Sequence, residues 1–266
     1  YHGRVLSADL MSSGEGNSKW SNVVDDDILF LDFPYDKEAK FDPSVLGDPK
    51  NIAAFMLETY QGWSSQFYPS QYMKDLYNFA KQNGCLVCFD EIQAGLYRMG
   101  EVYGYLTYGE YIKPDIICLA KALGAPLPTS VVLSTKELID GGAKLGGTNA
   151  GNPLCCAAAI ANIDFLTNET FQIQLKKKVK VFESRLKRLE RYDTINYVNV
   201  RGMVGAIIFN NKEDANTVVV NCVRRGVMPV NTWSTSVKIG PPLTISIDAI
   251  NEAFDVIEGC IERENE

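Results

Sequence analysis

Histidine is all but missing from this sequence: His2 is the only one. Only one Cys-x-x-Cys pair, Cys85 and Cys88, accompanies it, so a structural zinc site lacks the ligands that such a site needs. No apolar run approaches the roughly 20 residues of a membrane-spanning helix, and a basic-then-apolar leader is missing from the first residues. Basic residues are too few to favour phosphate polymers: 26 Lys and Arg stand against 33 Asp and Glu, a net charge of −7, so nucleic acid is an unsuitable partner. Internal repeats and low-complexity stretches are also lacking. The protein is expected to be soluble and cytoplasmic, with no membrane, nucleic-acid or metal partner.

What is present is ordinary globular chemistry. The 266 residues are 46% hydrophobic and 22% charged, enough for one large domain or two modest ones. The chain opens at Tyr1, and Tyr-His-Gly-Arg-Val-Leu reads like the inside of a fold, so the natural chain is expected to extend beyond 266 residues. Seven cysteines, at 85, 88, 118, 155, 156, 222 and 260, lie mostly in apolar runs. An odd, apolar set suits buried thiols in a reducing compartment better than disulfides. The basic run from Lys176 to Arg191 interleaves with Leu175, Val179, Phe182, Leu186 and Leu189, as the solvated face of an amphipathic helix does.

The first 45 residues are polar and turn-rich around one short expected strand, Ile28 to Leu31. Then follow apolar runs of strand length at 52–57, 85–89, 115–120 and 129–134, with a helix at 70–83 capped by Ser70 and closed by Gly84. Continuous apolar strands joined by helices or loops describe an α/β fold with a mostly parallel sheet buried on both faces. After helices at about 153–166 and 170–191 the pattern changes to short strands at 197–200, 206–209, 227–230 and 236–239, with helices at 214–225 and 248–262. The expected organisation is therefore a large domain over 1–167 and a smaller α+β domain over 168–266.

In parallel sheets the ligand sits outside the carboxyl ends of the strands. Glu58, Asp90 and Lys121 each follow an apolar run, so three ionisable residues converge on one crevice. A lysine in an apolar setting becomes a nucleophile able to form a Schiff base. Pyridoxal phosphate needs such a lysine, and a carboxylate that keeps its ring nitrogen protonated. Asp90 and Lys121 suit those two roles, and a salt bridge at a sheet edge suits the same spacing.

The motifs in order resemble one family. Phe89-Asp-Glu-Ile-Gln-Ala-Gly-Leu-Tyr-Arg-Met-Gly100, Pro114-Asp-Ile-Ile-Cys-Leu-Ala-Lys-Ala-Leu-Gly124, Thr148-Asn-Ala-Gly-Asn-Pro153, Val200-Arg-Gly202 and Gly240-Pro-Pro-Leu-Thr-Ile245 are similar to segments of class III, ornithine-aminotransferase-like pyridoxal-phosphate enzymes of fold type I. The resemblance implies a transaminase that moves an amino group from an amino acid or ω-amine donor to a keto acid. It implies Lys121 as the Schiff-base lysine and proton carrier, Asp90 as partner of the ring nitrogen, Gln93 near the ring hydroxyl, and Ile92 and Tyr1 on the two ring faces. Thr148 would bind the cofactor phosphate of a neighbouring subunit, which makes a homodimer with a shared site, and Glu58 would support the hydrogen-bond network. Arg4 would take a substrate carboxylate through its planar fork.

Two positions depart from the family pattern. Its Gln-Gly-Glu is Gln61-Gly62-Trp63 here, and the arginine before Pro-Pro-Leu is Lys238. At these two substrate-binding positions an aromatic ring replaces a charge, and a point cation replaces the fork that in the family takes the second carboxylate of glutamate. Amino-group transfer therefore carries over while the ornithine or acetylornithine substrate assignment does not. An aminomutase, racemase or decarboxylase on the same scaffold, or a truncated and silent relative, fits the same motifs.

Overall fold

The computed structural model describes residues 1–12, 23, 25–141 and 146–262; the polar stretch 13–18, expected as a loop, lies outside them. Two compact units form: Tyr1–Trp63, Phe67–Ala94 and Tyr105–Ile160 make the first, and Ser64–Gln66, Gly95–Gly104 and Ala161–Glu266 make the second. The expectation of a single boundary at 167/168 contained neither of the short segments, 64–66 and 95–104, that group with the second unit.

The first unit is built on a four-stranded sheet in the order β1 (Ala54–Glu58), β2 (Leu86–Asp90), β3 (Ile116–Leu119), β4 (Val131–Ser134). The first three strands run parallel and β4 pairs antiparallel with β3. Helix α1 (Leu6–Leu10) precedes the sheet, and α2 (Ser70–Gln82) crosses between β1 and β2 and packs on β2 through Met73, Leu76 and Ala80, all buried. Its cap differs from expectation: Pro69 occupies the N-cap position and no side chain caps the helix. Gly84 does close it, at φ +74°, a backbone region that costs glycine nothing. Residues 28–31 form no strand. Leu29 and Phe30 are exposed there, and the preceding Asp25–Asp27 turn is held by the Asp25 carboxylate accepting from Asp27 N–H at 3.1 Å. Helix α3 (Lys136–Gly141) follows β4, and α4 (Pro153–Thr167), apolar on all sides, carries the chain into the second unit.

The second unit is an antiparallel sheet in the order β5 (Ile195–Arg201), β6 (Val204–Phe209), β8 (Ser236–Ile239), β7 (Val230–Asn231). Every residue of β6 is buried. Helices α5 (Glu169–Arg188) and α6 (Lys212–Arg224) pack against it and α7 (Ile247–Glu262) packs on both of them, with Phe182 and Phe254 edge-on in the core. Asn168 caps α5, its side chain accepting from Phe171 N–H at 3.2 Å. The run 227–230 shrinks to the two residues of β7 because Pro229 has no N–H for the ladder and Met228 points outward, 82% exposed. The basic face of α5 is also not wholly solvated. Lys178 is buried, its Nζ donating to Leu243 O at 3.0 Å, and burial pushes its pKa down. Arg185 reaches Asp255 at 2.6 Å and Glu258 at 3.2 Å on α7.

Segment 95–104 joins this unit through close backbone contact. A Cβ at Gly202, the β5–β6 turn residue at φ +65°, would overlap the backbone of Met99 and Gly100. Met203 N–H donates to Arg98 O at 2.9 Å, and Arg98 Nη1 returns to Met203 O at 2.9 Å and reaches Pro241 O at 2.6 Å.

Candidate active site

The parallel register sets the site. Glu58 pairs with Asp90, and Asp90 with Cys118, in one row across the carboxyl ends of β1, β2 and β3. Register partners face the same side of a sheet, so these residues share a face, with Met56, Cys88 and Ile116 one row behind. Phe55, Leu57, Val87, Phe89 and Leu119 fill the opposite, buried face.

Asp90 is held by two donors. Its Oδ1 accepts the Ile92 N–H at 3.0 Å and its Oδ2 lies 2.8 Å from His2 Nδ1. Each oxygen keeps a lone pair for a further donor. The neighbouring Glu91 is structural: its Oε1 accepts from Thr59 Oγ1 at 2.6 Å and Tyr105 N–H at 2.9 Å, while its own N–H donates to Cys118 O at 2.9 Å. The last of these bonds extends the β2–β3 pairing one residue past Asp90.

A second cluster forms around Glu58. The backbone nitrogen of Tyr1 lies 2.7 Å from Glu58 Oε2, and Gly62 N–H donates to Oε1 at 3.2 Å. A Cβ on Gly62 would run into the Gln93 amide and come within 3.3 Å of Glu58 Oε1. The missing side chain at Gly62 is thus what lets Gln93 lie across it. Arg4 is exposed, with its guanidinium 5.8 Å from the centroid of the Tyr1 ring, within cation–π range.

Lys121 follows β3 by two residues, in a short 3-10 turn, with its own φ at +42°. A non-glycine residue in the left-handed region is strained, and such strain gathers where function over-determines a conformation. Lys121, Ala120 and the loop 125–130 line an open depression of about 520 Å³. Cys118, in the row, and Cys88, one row behind it on β2, interact through their thiols. The Cys118 side chain, burial and the Asp90 charge push the Cys88 thiol far up, and donation from Cys88 pulls Cys118 down.

The structure therefore gathers Tyr1, Glu58 and Gln93 in one cluster, sets Asp90 beside them through the strand register with Ile92 turned back on it, and puts Lys121 past the end of the adjacent strand. Thr148 lies exposed in the turn before α4, whose cap is Asn152, with Oδ1 accepting from Leu154 N–H at 3.0 Å. Trp63 is half-buried at the end of the first unit's opening segment, and Lys238 sits in β8 of the second unit, paired with Ala206 and Val230. Sequence reasoning overlooked His2, treating it only as a solitary histidine, and overlooked Gly62. The available signal for His2 was its place beside Tyr1 in a motif already assigned to the site.

A carboxylate pinned by an imidazole, a primary amine just past the end of the next strand and an amide across a bare glycine form the donor set that a protonated pyridine nitrogen, an aldehyde and a ring hydroxyl require. These residues fit pyridoxal phosphate, and fold and donor set together define the large-sheet part of a fold type I pyridoxal-phosphate enzyme. The chain belongs to the class III aminotransferases, whose family model matches residues 1–261. It is 33% identical over 212 residues to the probable mitochondrial ornithine aminotransferase of Caenorhabditis elegans, covering 78% of this chain and 50% of that protein. It is 32% identical over 239 residues to a leucine/methionine racemase of Thermococcus litoralis, covering 84% of this chain and 52% of that protein. The solved acetylornithine aminotransferase from Elizabethkingia anophelis superposes with a TM-score of 0.75 at 28% identity, over 84% of this chain and 58% of that one. The chain thus spans about half the length of the relatives it matches.

Proposed function

We propose that the chain carries the lysine-bearing part of a pyridoxal-phosphate-dependent aminotransferase that moves an amino group from an amino acid or ω-amine donor to a keto acid. The observation that carries this reading is the register that brings Asp90 and the strand leading to Lys121 side by side, with His2 behind the carboxylate. When bound, the cofactor supplies an aldehyde for amine exchange and a conjugated ring that accepts electron density from the donor's Cα–H bond. Asp90 would meet the ring nitrogen, and the His2 ring, 2.8 Å from Oδ2, keeps that carboxylate oriented. Lys121 Nζ would hold the cofactor and, when freed by the donor, would carry the donor's Cα proton. Gln93 orients the ring hydroxyl, Ile92 and Tyr1 confine the ring, and Arg4 offers a bidentate fork to the substrate carboxylate. Thr148, in an exposed turn, is suited to the phosphate held by a second copy, which makes the working form a homodimer. A reducing, cytoplasmic setting accords with seven free cysteines.

Racemisation is the second reading, favoured by the identity to the Thermococcus racemase. Racemisation would return the proton to the same carbon on the opposite face, so a proton donor other than Lys121 would stand on that side. The test is the full-length protein with pyridoxal phosphate: sodium borohydride should fix the cofactor to Lys121, read by peptide mass. A donor panel against pyruvate and 2-oxoglutarate should then form new amino acid. Failure of borohydride to label Lys121 would overturn the enzyme reading. Loss of donor chirality without consumption of keto acid would favour the racemase.

A further inference from the structure

Lys121 stands in a loop that two strands close at its base. Leu119 on β3 pairs with Val131 on β4, so residues 120–130 form one closed connection. Two of them, Lys121 at φ +42° and Ala125 at φ +53°, lie in the left-handed region that only glycine enters without cost. Successive turns hold the first half. Leu123 N–H donates to Ala120 O at 2.9 Å, Ala125 N–H to Ala122 O at 3.2 Å and Leu127 N–H to Gly124 O at 3.0 Å. Turns of this kind form readily at ordinary negative φ, so a contact outside them has to impose the strain.

Gly124 and Thr129 supply that contact. Lys121, Ala122, Ala125 and Pro126 are exposed, whereas Leu123 and Gly124 turn inward and are buried. A Cβ on Gly124 would come within 2.5 Å of Thr129 Oγ1 and 2.8 Å of Thr129 Cβ, so the threonine already fills the place where any other side chain at 124 would begin. The Thr129 hydroxyl is shielded from solvent and has no hydrogen-bond partner among the described residues. Packing therefore seats it there against the cost of its lost hydration. The far half of the loop is stiff as well, because Pro126 and Pro128 each fix φ. We infer that Gly124 and Thr129 are positioning residues for Lys121. Thr129, seated in the space a bare glycine leaves, closes the loop on itself and holds the Lys121 backbone in its left-handed conformation, on the wall of the depression that residues 125–130 complete. The inference rests on the reading of Lys121 as the residue that takes pyridoxal phosphate.

The experiment uses the full-length protein freed of cofactor, mixed with pyridoxal phosphate and quenched with sodium borohydride at timed intervals. The label on the Lys121 peptide is read by mass, and the melting temperature is measured in parallel. All rates are taken below the lowest melting temperature of the set, so that a merely weakened fold does not slow them. Gly124→Ala should slow labelling about ten- to a hundredfold, and Thr129→Gly, which opens the contact without adding an atom, about threefold or more. The double variant Gly124→Ala/Thr129→Gly fills the same gap from the other side and should recover most of the parent rate. Thr129→Val keeps the shape and removes the orphaned hydroxyl, so it should label at the parent rate with a melting temperature no lower. An unlabelled Lys121 in the parent overturns the cofactor reading, and this inference with it. A labelled parent with Thr129→Gly labelled equally fast overturns the positioning inference alone, as does a double variant no faster than Gly124→Ala. Should Gly124→Ala not fold, Thr129→Gly by itself decides.

Discussion

His2 Nδ1 stands 2.8 Å from Asp90 Oδ2, with the two side chains only 9% and 4% exposed. A hydrogen bond to an ionised carboxylate contributes about 1.5–3 kcal/mol, and this one fixes the rotamer of the residue that must meet the ring nitrogen. His2→Leu should lower kcat roughly 10- to 100-fold. His2→Asn, whose amide can still donate, should recover part of that loss. Steady-state kinetics and cofactor titration check this; full activity in His2→Leu would make the contact incidental.

Lys121→Ala should cut turnover by about a thousandfold or more while cofactor still binds non-covalently. Borohydride should then leave the protein unlabelled. Retained activity would remove Lys121 from its role, and retained labelling would point to another lysine.

Gly62→Ala tests the close approach at Glu58. The added Cβ would displace the Gln93 amide, whose Cδ comes within 3.0 Å of it, without touching the sheet core. Cofactor affinity should fall about tenfold, with the melting temperature changed by no more than a few degrees. A large fall in melting temperature with unchanged affinity would show Gly62 to be purely structural.

Cys222 is fully buried, and burial together with the Cys260 thiol pushes its pKa up to about 12. In the unfolded chain a thiol titrates near ~8.5. Below that value the thiol is protonated in both states and its contribution to stability is fully present. As pH rises from ~8.5 toward 12 the unfolded state loses its proton first, so stability falls, by less than about 1.4 kcal/mol per pH unit. Urea midpoints between pH 7 and 10.5 should decline less steeply in Cys222→Val than in the parent.

The elements were largely legible in the sequence because their signals are local. The apolar runs that became β1, β2, β3 and β4 were bounded to within about two residues, and Gly84 marked the end of α2. Expectation failed where an element needs something beyond its own pattern. Residues 28–31 are apolar enough for a strand but find no neighbouring strand among the described residues, and 227–230 shrinks at Pro229. Lys178 sits in a run of charges yet turns inward, because a carbonyl of the Pro-Pro segment, 65 residues later, accepts from it.

The sequence alone determined the chemistry on offer: a carboxylate and an amine at strand ends, within motifs spaced like those of one family. Periodicity and turn chemistry act over a few residues, so strand identity and the class of site could be read directly. Only the tertiary structure decided that the lone histidine backs Asp90 across 88 positions, that Gln93 lies over Gly62, and that Ser64–Gln66 groups with the second unit. Those are long-range hydrogen bonds and close contacts, and they depend on chain crossings that no local pattern encodes.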